Sequence, residues 1–113
     1  MRIAAADAFD LVELGRAVVQ RHAAGELKPS PVVEKTREDA QRVFAGKVLG
    51  ALHLDELLAE DPVDIYVQLS SMASQFPEAG QVDYAAANAV LDVLAQNRAE
   101  RHRGLACAVC WGA

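Results

Sequence analysis

The sequence predicts an α/β protein with a parallel sheet. Residues 63–69 alternate Ile65, Val67 and Leu69 with Asp64, Tyr66 and Gln68, the period-two pattern of a strand, and Pro62 marks the entry. Residues 105–111, LACAVCW, form a second short apolar run behind a glycine and read as a buried strand. Residues 83–101 between them read as a helix. Strand, loop, helix, strand is the order of a right-handed parallel crossover. With 113 residues and 52% hydrophobic content, the chain has room for one small packed domain and lacks the composition of a disordered segment.

The remaining elements follow from caps and breakers. Asp7 is placed to cap a helix over residues 8–24, with Phe9, Val12, Leu14, Val18 and Val19 broadly at helical spacing and Gly25 to end it. Residues 27–33 contain Pro29 and Pro31 and are expected to be extended or a linker. Thr36, with Asp39 three residues on, signals the start of a second helix that runs to about Leu58. Its Val43, Val48, Leu52, Leu54 and Leu58 are expected to face a core, and Lys47 lies within it between Gly46 and Gly50. Residues 70–81, with Pro77 and Gly80, form the loop that precedes the helix at 83–101.

Charge and motif content narrow the function classes. A net charge of −5 argues against a nucleic-acid surface, which needs clustered Lys and Arg. The one basic cluster, Arg98 to Arg103 with His102, falls at a helix end, where positive charge suits the dipole, and is expected to be solvated. No apolar run is long enough to span a membrane, and the first residues lack the pattern of a secretory signal, so a cytoplasmic protein without a membrane partner is expected. Cys107 and Cys110 lie three apart on a strand, hence on opposite faces, which favours a structural role over a redox pair. His22, His53 and His102 offer no zinc-ligand spacing.

Four residues suggest chemistry. Ser71 ends the strand of QLSSMAS, and Tyr84 opens the next helix in YAAAN, with Asn88 one helical turn further on the same face. In an open parallel sheet the crevice lies beyond the C-terminal ends of the strands, where both Ser71 and Tyr84 fall. Reduction of a ketone by a nicotinamide cofactor needs an acid for the developing alkoxide and a second donor that holds the carbonyl oxygen. A phenol and a serine hydroxyl can fill those roles. A free tyrosine, with a pKa of about 10, needs a cation or polar relay to act near neutral pH, and Lys47 and Asn88 are candidates for these. Taken singly, each has an ordinary reading: a turn serine, a half-buried aromatic, a helix amide and a surface charge.

On AGKVLGALHLDELL, DPVDIYVQLSSMAS, GQVDYAAANAVLDVLAQNR and the final CWGA, residues 34–113 resemble the C-terminal half of a ketoreductase domain of modular polyketide synthases, within the short-chain dehydrogenase/reductase superfamily. The resemblance implies a partial Rossmann-like doubly wound parallel sheet that lacks the glycine-rich first half. It implies Lys47, Ser71, Tyr84 as proton donor and Asn88 as relay, with Lys and Asn in the exchanged places of the polyketide branch. It also implies NADPH as cofactor and a β-ketoacyl thioester on an acyl carrier protein as substrate.

The sequence departs from that family in two ways. None of its seven glycines forms a GxGxxG turn, so no cofactor-binding residues are assigned. The isolated chain is therefore expected to be incomplete as a catalyst, with a complementary chain or domain supplying the nucleotide site. The alternative is a non-catalytic remnant or a self-associating structural segment, a homo-oligomer joined through an exposed sheet edge. The second departure is FDLVELGRAVVQRHAAGELKP, which over a short stretch is similar to the helix and turn near the end of enoylreductase domains. The expected division is residues 1–33, helix and linker, and residues 34–113, ketoreductase-like. Phe76 stands eight residues before Tyr84, where a Trp in the family accompanies one product configuration.

Overall fold

The computed structural model describes residues 2–6, 10–14 and 17–21 as strands and residues 27–112 throughout. Among them one sheet has the order β2-β3-β1-β4-β5, made of β1 (Arg2–Ala6), β2 (Asp10–Leu14), β3 (Ala17–Arg21), β4 (Ile65–Ser71) and β5 (Leu105–Trp111). Neighbours run parallel except β2 with β3. Helix α3 (Val82–Arg101) connects β4 to β5, whose register runs from Ile65 beside Leu105 to Ser71 beside Trp111. The expected α/β class and the strand, loop, helix, strand unit are both present.

The N-terminal expectation is corrected. Residues 10–14 and 17–21 are strands, not part of a helix over 8–24; Asp7, the expected cap, lies outside the described residues. Leu14 pairs with Ala17 across only Gly15 and Arg16, and β3 is flanked by ladders on both sides, antiparallel to β2 and parallel to β1. Two ladders satisfy backbone groups that a loose helical spacing of β-branched Val12, Val18 and Val19 does not hold in a helix. β1, with the sequence RIAAA, has little strand propensity and gains its conformation from pairing with β3 and β4.

The second helix begins as the sequence predicts. Thr36 accepts from the Asp39 N–H and the Asp39 carboxylate accepts from the Thr36 N–H, a closed capping box at the start of α1 (Arg37–Phe44). It does not continue as a uniform helix. Residues Ala45–Leu49 form a wide π-type turn, with the Gly50 N–H reaching the Ala45 carbonyl, before α2 (Gly50–Leu57). One extra residue rotates the inner face by about 100°, so Ala51 is buried at 2% exposure whereas Leu52, expected inside, is 42% exposed. Val43, Val48 and Leu58 are buried as expected.

Helix α3 packs on β4 and β5, Leu54 and Leu58 at the end of α2 meet Tyr66 of β4, and α1 packs against α3. The helix side of the sheet carries Tyr66, Gln68 and Ser70, all buried, with Ala106, Ala108 and Cys110 alongside by register. Leu58, Val63 and Tyr66 form one apolar cluster with Leu54 and Ala106, while Val43, Val48 and Ala87 form another with Phe44, Tyr84 and Val90. The Ile65, Val67 and Leu69 face is only half-buried. Strand β5 is correspondingly half-exposed rather than buried, with Leu105 and Trp111 each 62% exposed.

The basic helix end is also corrected. Arg98 is 2% exposed, donates to Asp55 Oδ1 at 2.6 Å and to the Leu58 carbonyl at 3.2 Å, and lies 4.5 Å over the Tyr66 ring. Helical periodicity from Ala87, Leu91 and Ala95 carries Arg98 onto the inner face, where a planar cation stacks on an aromatic and pairs with a carboxylate. Burial works to raise the Asp55 pKa, but the bonds from Arg98 and Arg101 outweigh it and hold the carboxyl below its ordinary value. Burial pushes the Tyr66 phenol up. Beyond α3 the chain turns at Gly104, where an added Cβ would collide with the Val63 carbonyl oxygen, so only glycine fits.

Candidate active site

Strand β4 delivers Ser71 to the C-terminal end of the parallel sheet, and a 3-10 turn, Met72–Ser74, follows at once. The Ser71 Oγ accepts from the Ala73 N–H at 3.1 Å. That bond fixes the oxygen through a lone pair and leaves the hydroxyl hydrogen available to donate outward. Gly80, with φ +81°, reverses the loop in the left-handed region before α3 starts. Tyr84 sits in the first turn of α3 and is half-buried.

Lys47 reaches the same place from the wide turn. Its side chain is 8% exposed, and its Nζ lies 5.4 Å from the centroid of the Tyr84 ring. A regular helix would carry residue 47 round by a different angle, so the π-type turn is the device that aims this lysine. Asn88 is fully buried below: its Nδ2 donates to the Tyr84 carbonyl at 2.8 Å and its own carbonyl accepts from Ser70 Oγ at 3.2 Å. The Asn88 Oδ1 has no partner among the described residues.

A cavity of about 480 Å³ is lined by Lys47, Leu69, Ser70, Ser71, Tyr84, Trp111 and Gly112. Three of the four residues singled out in the sequence therefore share one cavity, and the fourth, Asn88, supports Tyr84 from beneath. Sequence reasoning missed Trp111, taken as part of a buried strand. An aromatic at the C-terminal end of the strand next to Ser71 was the available signal, since that edge of a parallel sheet is where crevices form.

A second cavity, of about 370 Å³, lies between α3 and β5 and includes Asp92, Cys107 and Cys110. Both thiols are unbridged, and Cys110 Sγ is 3.8 Å from Asp92 Oδ1. Among the described residues no cluster of three or more His, Cys, Asp or Glu is placed to hold a metal, and no helix is long and apolar enough to cross a membrane.

Comparison with known proteins adds to this geometry. The family model described as KR domain matches residues 13–113. The chain is 40% identical over 95 residues to "Polyketide synthase PksL" of Bacillus subtilis (strain 168), covering 80% of this chain and 2% of that protein. It is 44% identical over 116 residues to "Polyketide synthase GfsA" of Streptomyces halstedii, covering 97% of this chain and 2% of that protein. Among solved structures, an N-terminal ketoreductase from the macrolactin assembly line superposes with a TM-score of 0.76 at 37% identity, over 80% of this chain and 19% of that one. A structure titled as A-type ketoreductases from a modular polyketide synthase gives 0.74 at 37% identity, over 81% and 19%. The chain thus spans about a fifth of these ketoreductase chains and a small fraction of the synthases.

Proposed function

Because the chain belongs to the KR domain family, the ketoreductases of polyketide synthases, we propose that its cavity is the proton-delivering part of a ketoreductase site acting on a β-ketoacyl thioester carried by an acyl carrier protein. The observation that carries this reading is the convergence of Lys47, Ser71 and Tyr84 on one cavity, with Lys47 Nζ 5.4 Å from the Tyr84 ring.

Each residue has a role that its surroundings favour. The Tyr84 phenol gives its proton to the substrate oxygen as alkoxide character develops there. Ser71, its oxygen held by Ala73, donates its hydroxyl hydrogen to the same oxygen and fixes the carbonyl in place. The Lys47 ammonium offsets the charge left on the phenol, and water is partly kept away because its side chain is only 8% exposed. Asn88 holds the first turn of α3 through the Tyr84 carbonyl.

NADPH, when bound, supplies the hydride. The donor set, with the aromatic Trp111 also lining the cavity, suits its reactive end, with Ser71, Tyr84 and Lys47 the groups that would meet it. The pyrophosphate end has no glycine-rich turn in these 113 residues, and a complementary chain or domain is proposed to supply one.

Fluorescence titration with NADPH, followed by reduction of a β-ketoacyl thioester of N-acetylcysteamine, tests this reading. Saturable binding with turnover is the expected result when the complementary half is supplied. Full NADPH binding with no turnover on any β-ketoacyl thioester would overturn it.

A further inference from the structure

We infer that Lys35 is a positioning residue for Tyr84, acting through Asp83. This rests on the reading of Tyr84 as proton donor, but its structural basis is independent. The Lys35 side chain is 7% exposed, its Nζ is 3.1 Å from Asp83 Oδ1 and donates to the Lys28 carbonyl at 2.9 Å. The same Asp83 Oδ1 accepts from the Tyr84 N–H at 2.9 Å. An ammonium on a largely buried side chain therefore grips the carboxylate that accepts from the backbone N–H of the residue bearing the phenol.

The pair is one link of a longer strap. The Ser30 N–H donates to the Gly80 carbonyl at 3.1 Å, and a Cβ on Gly80 would meet Ser30 backbone atoms at 3.1–3.4 Å, so the strap and the turn before α3 are in close contact. At its other side Lys28 Nζ is 2.8 Å from Asp39 Oδ1, in the capping box that starts α1. Residues 28–39 thus tie the start of the helix leading to Lys47 to the start of the helix carrying Tyr84. Their job is to hold the two at a fixed spacing.

Stability alone does not favour this arrangement. A buried ion pair is often no more stable than well-packed apolar residues of similar volume, and its best-attested use is to fix register. Asp83 Oδ2 is buried without a partner among the described residues, an unfavourable feature that stability alone does not account for. Small displacements of a reacting group are costly: a shift of about 1 Å lowers turnover on the order of a hundredfold.

The test uses the full chain in Lys35→Met, Asp83→Asn and the double variant. Hydrogen exchange read by mass spectrometry should rise in peptides covering residues 79–90 and stay unchanged in β4, β5 and the second half of α3. Where turnover is assayed, kcat should fall on the order of tenfold to a hundredfold with KM unchanged, and the double variant should be no worse than either single one. Exchange that rises everywhere, or nowhere, overturns the positioning role, as do losses that add in the double variant. Tyr84→Phe with wild-type turnover would instead remove the reading of Tyr84, while the exchange data still decide whether Lys35 orders the start of α3.

Discussion

The two ends of α3 are built on opposite terms. At its start, Asp83 and Asn88 are 6% and 0% exposed, yet Asp83 Oδ2 and Asn88 Oδ1 lack partners among the described residues. At its end Arg98 is equally buried, but it is bonded to Asp55 and the Leu58 carbonyl and stacked on Tyr66. Each buried unpaired polar atom costs about 1–3 kcal/mol. One helix therefore leaves polar atoms unsatisfied in its first turns, next to cavity-lining Tyr84 and Ser70, and again at Asp92 Oδ2 beside the second cavity. The cation at its end is instead bonded and stacked. The difference separates a region shaped by chemistry from one shaped by stability.

That separation predicts two different failures. Tyr84→Phe should lower ketone reduction on the order of 10²–10⁴-fold and leave the thermal midpoint unchanged, because the ring that packs against the Val43, Val48 and Ala87 cluster is kept and only the hydroxyl is lost. Parallel loss of folding, seen by circular dichroism, would merge the two ends into one structural unit. Arg98→Ala should do the reverse. It removes one partner of a buried pair whose Asp55 side chain is 14% exposed, and should lower unfolding free energy by about 3–5 kcal/mol. Urea unfolding measures this, and a loss confined to activity would break the comparison.

The sequence exposed the first end more clearly than the second. Ser71, Tyr84 and Asn88 are local to one strand, loop and helix, so spacing and strand-end position were enough to group them. Lys47 lies far along the chain and joins them as a candidate cation and through the resemblance; its aim depends on a wide turn that periodicity does not reveal, and the same turn moves the inner face from Leu52 to Ala51. Charge alone predicts a solvated Arg98, and only its place in the Ala87, Leu91, Ala95 series points inward. The strands at Arg2–Ala6, Asp10–Leu14 and Ala17–Arg21 are defined by pairing with distant segments, information that no window of the chain contains.

The smallest predicted effects lie in the strap that serves the start of α3. Thr36→Ala removes one side of the capping box and should lower stability by about 1 kcal/mol. A cap whose loss changes urea unfolding by nothing measurable would mean that tertiary packing alone fixes α1.

Acid should act on the same box through its other member. The bond from Lys28, and then the Thr36 hydroxyl, hold the Asp39 carboxyl down to about 2. A carboxylate with a depressed folded-state pKa stabilises above its unfolded value, here about 3.9, and loses that contribution as pH falls towards the folded one. Stability should therefore decline on acidification through this window and be insensitive to Asp39 above it. Asp55, also held low by Arg98 and Arg101, adds to the decline in the same direction. Asp39→Asn should flatten the acid limb only in part, while the variant lacking Arg98 should lose the larger share of the Asp55 contribution, Arg101 keeping the rest. Urea midpoints measured in a pH series separate the two, and an unchanged acid limb in Asp39→Asn would show that the strap is not held by this charge.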